Sequence, residues 1–216
     1  MPPQIARLPR DRRGLPVPWF AAWQDDQPIF THADPRKWVS AVRHGKCWIC
    51  GEPLGRNVAF VLGPISAINR ITSEPAQHLG CAIYSVRACP FLINPRMRRV
   101  PAPAGELAPG GIPIDDNPGC SVVWQTRERG VIAADDPDRP SFGYLVRVGP
   151  PAAVTWWTRG REATAREAAD AFVTGARYLL DLAAMEGPDA LTELRGAVAI
   201  ARRLLPEESL AAGVFA

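Results

Sequence analysis

Cys47-Trp-Ile-Cys50-Gly51 and His78-Leu-Gly-Cys81 are the two stretches around which this sequence is organised. Two cysteines separated by two residues form a tight knuckle, because the glycine that follows permits a turn with positive φ that points both sulfurs at one position. A histidine and a cysteine three residues apart lie on one face of a helix. Together the two stretches present four donors in the pattern of a tetrahedral zinc site.

The residues between the two stretches predict a strand and then a helix that carries the last two donors. Val58-Ala-Phe-Val-Leu62 is rich in β-forming residues and is followed by Gly63-Pro64, which breaks the strand. Ser73-Glu74-Pro75 has the composition of a helix start, with Ser73 as the N-cap. We therefore expect a knuckle, a β-hairpin and then a ligand-bearing helix, in that order.

This order resembles that of the treble-clef zinc fingers. The resemblance implies a structural Zn²⁺ ion with four ligands from this chain: Cys47, Cys50, His78 and Cys81. The alternative is a group of ordinary buried thiols in a reduced protein. Cys89 leaves the ligand set open, because Pro90 places it beyond the helix, where it either replaces the histidine or stays a buried free thiol.

Length and composition bound the class of protein. The 216 residues are 47% apolar and 22% charged, which is typical of a soluble globular protein. No apolar run approaches the roughly 18 residues of a membrane span, and residues 1–7 lack the apolar core of a signal peptide. Five cysteines, four of them in a metal-binding pattern, argue against a disulfide framework. We expect a cytoplasmic protein with reduced cysteines and no membrane partner.

Charge is distributed unevenly along the chain. Residues 1–100 carry 14 Lys and Arg against 6 Asp and Glu, a net charge of +8, whereas residues 101–216 carry 11 against 16, a net charge of −5. A basic half indicates an anionic partner such as DNA or RNA, and the alternative is a solvated face of unrelated arginines. Six arginines near the metal pattern are the candidates for nucleic-acid contacts: Arg56, Arg70, Arg87, Arg96, Arg98 and Arg99.

The N-terminal residues predict a basic arm and an aromatic hairpin. Residues 7–13 are either disordered or lie on an anionic partner. Asp25-Asp26 is the expected turn between two short strands, and Asp34 is the expected N-cap of a helix over residues 35–43. Four aromatic residues either stack on bases or pack around the metal module: Trp19, Phe20, Trp23 and Trp48.

A Pro- and Gly-rich segment divides the sequence where the charge changes sign. We predict a basic zinc-binding region over residues 1–99, a linker or long loop over 100–119, and a small antiparallel sheet with two helices over 120–216. A capping box at Thr164 and Glu167 opens the first of these helices, and Gly187-Pro188 separates it from the second. The fold class is α+β. The helices are expected to pack on the strands or on a second copy of the chain, as in a homodimer.

Familiar catalytic motifs are absent from the sequence, which contains no GxGxxG, Walker loop, GxSxG or HExxH. The HNH nucleases share the treble-clef core, but no histidine lies between Cys50 and Ser73 to supply their general base. Four segments carry a second resemblance: Cys47-Trp-Ile-Cys-Gly-Glu-Pro-Leu54, Ala59-Phe-Val-Leu-Gly-Pro64, Ala88-Cys-Pro-Phe-Leu92 and Trp157-Thr-Arg-Gly-Arg-Glu-Ala-Thr164. They are similar to an uncharacterised family of prophage and bacterial proteins, which implies a phage-encoded protein without bringing an activity.

From these features we expect a zinc-stabilised binding protein whose basic N-terminal half contacts nucleic acid. Most contacts would go to phosphates, so binding would weaken steeply with salt. One alternative is a protein-interaction module such as an inhibitor or adaptor. Another is an HNH-like nuclease or other zinc enzyme, which would need an open coordination position on the metal. The sequence favours a protein that is not an enzyme.

Overall fold

The computed structural model describes residues 1–98, 116–133 and 144–207. Its helices are α1 (Pro3–Ala6), α2 (Pro35–Arg43), α3 (Pro64–Asn69), α4 (Leu79–Ala88), α5 (Pro90–Ile93), α6 (Ala165–Glu186) and α7 (Pro188–Arg202). Its strands are β1 (Ala21–Gln24), β2 (Gln27–Ala33), β3 (Val58–Leu62), β4 (Ile71–Thr72), β5 (Ser121–Thr126), β6 (Arg129–Ala133), β7 (Tyr144–Val148), β8 (Ala153–Thr158) and β9 (Arg161–Glu162).

The described strands pair in antiparallel sheets. The largest has the order β3-β5-β8-β9, a second has the order β4-β7-β6, and β1 and β2 form a hairpin. The core is built on the inner residues of β3 and β5, where Phe60, Leu62 and Trp124 are each 1% exposed. Antiparallel sheets followed by a helical pair confirm the predicted α+β class.

Strands from both halves of the sequence share these sheets. β3 pairs with β5 from Val58 opposite Thr126 to Leu62 opposite Val122. β4 pairs with β7, which likewise comes from the second half of the chain. The main hydrophobic core is also continuous, since it includes side chains from Ile5 to Leu205. The division at residues 100–119 stays a prediction about the sequence, and residues 99–115 lie outside the described ranges.

Local signals correctly predicted the β1–β2 hairpin and helix α2. Asp25 and Asp26 have φ of +47° and +57°, the left-handed pair that a two-residue hairpin turn requires. Asp34 caps α2, because its carboxylate accepts a hydrogen bond from the Arg36 backbone N–H at 2.9 Å. α2 then buries Trp38, whose indole N–H donates to the Ser73 carbonyl oxygen at 2.7 Å.

The predicted helix start at Ser73 is wrong, since α4 begins at Leu79 with His78 as its N-cap. The backbone of Gln77 exchanges two hydrogen bonds of 2.8 Å with Ala59, so this part of the chain lies beside β3 instead of forming a helix. The expected hairpin is also absent from residues 58–72, because β3 is followed by α3 and finds its partner in β5. Tertiary pairing outweighed the local propensity in both cases.

The residues on either side of the basic arm pack against the rest of the protein, whereas the arm's four arginines are exposed: Arg7, Arg10, Arg12 and Arg13. Ile5 and Val17 are each 1% exposed. The Trp19 backbone N–H donates to the Ile49 carbonyl oxygen at 2.7 Å, which ties this segment to the knuckle. The result is that residues from the chain's beginning cover one side of the predicted metal site.

The C-terminal helices form an antiparallel pair that packs on α3 and the large sheet. The predicted capping box is present at the start of α6. A Cβ built on Gly175 would lie 2.9 Å from the Pro64 Cβ, so the glycine lets α6 approach α3 closely. Among the described helices we find none with both the length and the apolar character to cross a membrane.

Candidate metal centre

The knuckle forms as the sequence predicted. The Cys47 N–H donates to the Glu52 carbonyl oxygen, and the Gly51 N–H donates back to the Cys47 carbonyl oxygen, each at 2.8 Å. Gly51 has φ of +75°, the left-handed conformation that favours glycine. This closed turn places the sulfurs of Cys47 and Cys50 on the same side of the backbone, toward α4.

The second pair of donors comes from the start of α4. His78 is the N-cap of this helix and Cys81 lies in its first turn. The His78 backbone N–H also donates to the Cys47 sulfur at 3.4 Å, which joins the helix start to the knuckle. Helix α4 therefore brings His78 and Cys81 to the knuckle, although the histidine lies just before the helix and not on one of its faces.

The four donor atoms converge on one point. One ligand atom from each of Cys47, Cys50, His78 and Cys81 lies within 4.8 Å of every other. The His78 Nδ1 is 3.4 Å from the Cys50 Sγ and 4.0 Å from the Cys81 Sγ. A tetrahedron with metal–sulfur bonds of about 2.3 Å has edges of about 3.8 Å, so small adjustments would place a metal ion at the centre. The cluster can hold a metal ion.

A backbone carbonyl sets the tautomer of His78. Its Nε2 lies 3.0 Å from the Pro53 carbonyl oxygen. A carbonyl oxygen accepts but does not donate, so the neutral ring carries its proton on Nε2 and leaves the Nδ1 lone pair directed at the three sulfurs. Metal-bound histidines are oriented in the same way by a partner on their other nitrogen.

The three thiols compete for negative charge. The pKa of Cys47 is lowered, first by a hydrogen bond from the Cys81 thiol and then by backbone N–H groups around its sulfur. The pKa of Cys81 is raised, chiefly by the same hydrogen bond and by burial, and burial also raises the pKa of Cys50. Without a cation, only one of the three thiols ionises readily. A divalent cation would stabilise all three thiolates, because each sulfur would then be bound to a positive charge that offsets most of their mutual repulsion.

Water has little access to the three sulfurs of the cluster, whereas His78 is half-buried. Cys47 and Cys81 are 0% exposed and Cys50 is 8% exposed. On the N-terminal side, the Gln4 side-chain amide lies 3.7 Å from the Cys81 sulfur, positioned to donate to it. Nothing in the sequence indicated Gln4, because its role depends on α1 folding back over a site 77 residues away.

The two remaining cysteines are not part of the cluster. Cys89 is the residue after α4, as the following proline predicted, and it lies outside the group of converging donors. It does not replace His78. Cys120 is buried, its thiol donates to the Glu167 carbonyl oxygen at 3.4 Å, and burial raises its pKa to about 11. Neither thiol shares the geometry of the predicted site.

Aromatic residues pack around the knuckle. The ring centroids of Phe20 and Trp48 are 4.8 Å apart with an interplanar angle of 13°, and Trp48 is 2% exposed. The Trp19 ring lies against Gly51, and the Lys46 ammonium lies 5.6 Å from that ring's centroid. The structure favours packing around the knuckle over base stacking for Trp19, Phe20 and Trp48. Trp23 differs from them, because it is 45% exposed.

The candidate arginines near the centre of the chain lie in different places. Arg56 is exposed just before β3, and Arg70 follows α3 beyond the other end of that strand. A five-residue strand spans roughly 17 Å. Arg87 lies at the end of α4 with its guanidinium 5.1 Å from the Trp157 ring centroid. These three side chains start from separate regions of the surface.

The other candidate arginines follow α5. Arg96 is exposed, and Arg98 forms an ion pair with Asp116 at 2.7 Å. Arg99 lies outside the described residues. Contact between nucleic acid and any of the six candidates stays a prediction.

Comparison of the chain with protein-family models, with curated proteins and with solved structures found no match.

Proposed function

We propose that the chain is a zinc-stabilised nucleic-acid-binding protein with one structural Zn²⁺ ion. The observation that carries the metal assignment is the convergence of four donor atoms within 4.8 Å of one another. Three thiolates and one imidazole form a donor set that suits Zn²⁺ and appears in structural zinc sites. The knuckle followed by donors at a helix start also supports the resemblance to treble-clef fingers.

A closed site supports a structural role. Four protein donors complete a tetrahedron and leave no position for a water molecule or substrate. The burial of all three sulfurs is consistent with that role. Metal-binding thiols must also be reduced, so we place the protein in the cytoplasm.

The charge distribution supports nucleic acid as the partner. The metal-binding part of the chain belongs to the half with a net charge of +8. Zinc and three thiolates together subtract only about one charge, so the half stays basic when metal is bound. Phosphate contacts by arginines and lysines would supply most of the affinity.

Two measurements test the proposal in separate steps. Elemental analysis of the purified protein should give one zinc per chain, and chelation followed by zinc addition should reversibly unfold and refold it. No bound zinc would contradict the metal assignment. Mobility shifts with labelled DNA and RNA at about 50 mM salt should show binding that weakens steeply as salt rises. No shift with any of these nucleic acids would contradict the second part and leave the first intact.

A protein-interaction module is the second candidate, and one observation favours it. Met185 is 84% exposed and Ile200 is 67% exposed on the C-terminal helical pair. Docking of the helical pair on a protein partner would cover such side chains, although the two do not adjoin: Met185 lies beside the turn at Gly187, and Ile200 lies roughly 18 Å further along α7. Capture of a protein partner that persists at high salt, without any nucleic-acid shift, would support this candidate.

A further inference from the structure

Basic residues from two distant parts of the sequence lie at the same end of the large sheet. Lys46 and Arg56 belong to the knuckle and the loop that follows it. Arg127 and Arg129 belong to the turn between β5 and β6 and to the first residue of β6. All three arginines are exposed. We call these four residues the knuckle-end cluster.

Strand pairing brings the two segments together. Val58, the first residue of β3, lies opposite Thr126, the last residue of β5, so the loop before β3 and the turn after β5 are neighbours. The Arg127 Nε–H donates to the Asn57 side-chain oxygen across this junction at 2.9 Å. Arg56 and Arg127 therefore each adjoin a residue of that junction.

The other two cationic groups lie on the knuckle side of the same junction. A Cβ built on Gly45 would lie 3.8 Å from the Arg129 Nη2, which places that guanidinium beside the knuckle. Gly45 precedes Lys46, and its carbonyl oxygen accepts a hydrogen bond from the Leu54 N–H at 2.7 Å. This hydrogen bond fixes the start of the knuckle next to the loop that carries Arg56.

The charge of the knuckle-end cluster is only partly compensated. Glu128 is exposed between the two arginines of the β5–β6 turn. The nearby carboxylate of Glu52 is already paired with Arg7 at 2.6 Å. Of these two carboxylates only Glu128 is left to offset four cations, so the described residues give the cluster a positive field and an excess of hydrogen-bond donors.

We infer that the knuckle-end cluster is the surface that contacts the phosphodiester backbone of nucleic acid, an inference that rests on the proposed function. Phosphate oxygens accept hydrogen bonds and carry negative charge at every nucleotide, which matches a group of exposed guanidinium donors. The arginines beyond α5 fit less well, because Arg98 is already paired with Asp116. The cluster also depends on β3–β5 pairing, so it exists only in the folded chain.

The experiment compares two double substitutions that remove the same charge. Arg127→Ala with Arg129→Ala alters the cluster. Arg177→Ala with Arg195→Ala is the matched control, because both arginines are exposed on the C-terminal helices α6 and α7. Each protein is titrated against a fluorescein-labelled single-stranded DNA, the same sequence as RNA, and the DNA duplex, at several salt concentrations. Zinc content and thermal unfolding verify that each variant is folded.

The cluster variant should bind all effective probes more weakly, and its slope of log affinity against log salt should be smaller in magnitude by about 2. The control should keep the wild-type affinity and slope. If the wild type binds and the cluster variant binds equally well, the inference is wrong while the proposed function stands. If only the control loses binding, the contact surface lies on the C-terminal helical pair and the inference is wrong. If the wild type binds no probe, the proposed function itself fails.

Discussion

Replacing Gly51 with alanine tests whether Trp19 is packed on the knuckle or free to stack on a base. Gly51 has φ of +75°, where an L-residue costs about 1–2 kcal/mol. The new methyl group would also lie 2.6 Å from the Trp19 Cγ. Carbon atoms pack at about 3.5–4.0 Å, so the indole would have to move by roughly 1 Å. Overpacking of this kind costs about 1–3 kcal/mol more.

Gly14 supplies the matched control for the backbone cost. It has φ of +78°, and a Cβ there would meet no atom within 4 Å. Gly14→Ala should therefore cost only the conformational penalty of about 1–2 kcal/mol. The free energy of unfolding of each zinc-loaded variant is measured by urea denaturation. We expect Gly51→Ala to be less stable than Gly14→Ala by about 1–3 kcal/mol.

A second background identifies the clashing group. With Trp19→Ala already present, Gly51→Ala should lose its excess cost and resemble the Gly14 control, because the indole that it meets is gone. Equal costs for the two glycine substitutions in the wild-type background would refute the reasoning. In that case Trp19 would have room to move away from the knuckle, and base stacking would become the better explanation for its position.

Three further predictions concern the ligand set, a neighbouring amide and a helix cap. Cys89→Ser should retain one zinc per chain by elemental analysis, whereas Cys50→Ser should bind zinc more weakly. Loss of zinc from Cys89→Ser would mean that the ligand set is wrong. Gln4→Leu removes the amide positioned to donate to a ligand sulfur and should weaken zinc binding about 10–100-fold in a chelator competition, and an unchanged affinity would contradict that role. Hydrogen bonds from the Arg161 guanidinium and from the Thr164 backbone N–H and hydroxyl lower the pKa of Glu167 from 4.5 to about 2. The ionised carboxylate therefore stabilises the folded protein above about pH 4.5, and this stabilisation is lost as pH falls toward 2. Glu167→Gln should cost about 1 kcal/mol at pH 7, with the difference from wild type shrinking in acid; a difference independent of pH in urea denaturation would contradict it.

Features encoded within a few residues were predictable. The Asp34 cap, the Asp25-Asp26 turn and the capping box at Thr164 each depend on hydrogen bonds or dihedral angles inside one short segment. The knuckle belongs to the same group, since its turn closes between Cys47 and Glu52. Local propensity decides such features because no distant group competes for the same backbone atoms.

The start of α4 shows where local propensity failed. Ser73-Glu74-Pro75 is a sound helix start by composition, yet the backbone of Gln77 bonds to Ala59 instead. That pairing places Gln77 beside Ala59 of β3 and buries both residues, with Gln77 1% exposed and Ala59 0% exposed. Hydrogen bonds and burial supplied by a distant strand outweigh a preference of a few tenths of a kcal/mol per residue.

The sequence alone was sufficient for the α+β class, for the four candidate ligands and for the unequal charge of the two halves. The tertiary structure decided that Cys89 stays outside the cluster, that Gln4 and the Pro53 carbonyl oxygen support it, and that Arg127 and Arg129 lie beside the knuckle. Spacing along a chain specifies which donors can share one turn. Contacts between residues tens of positions apart depend instead on strand pairing and on burial of the whole core, which no short segment encodes.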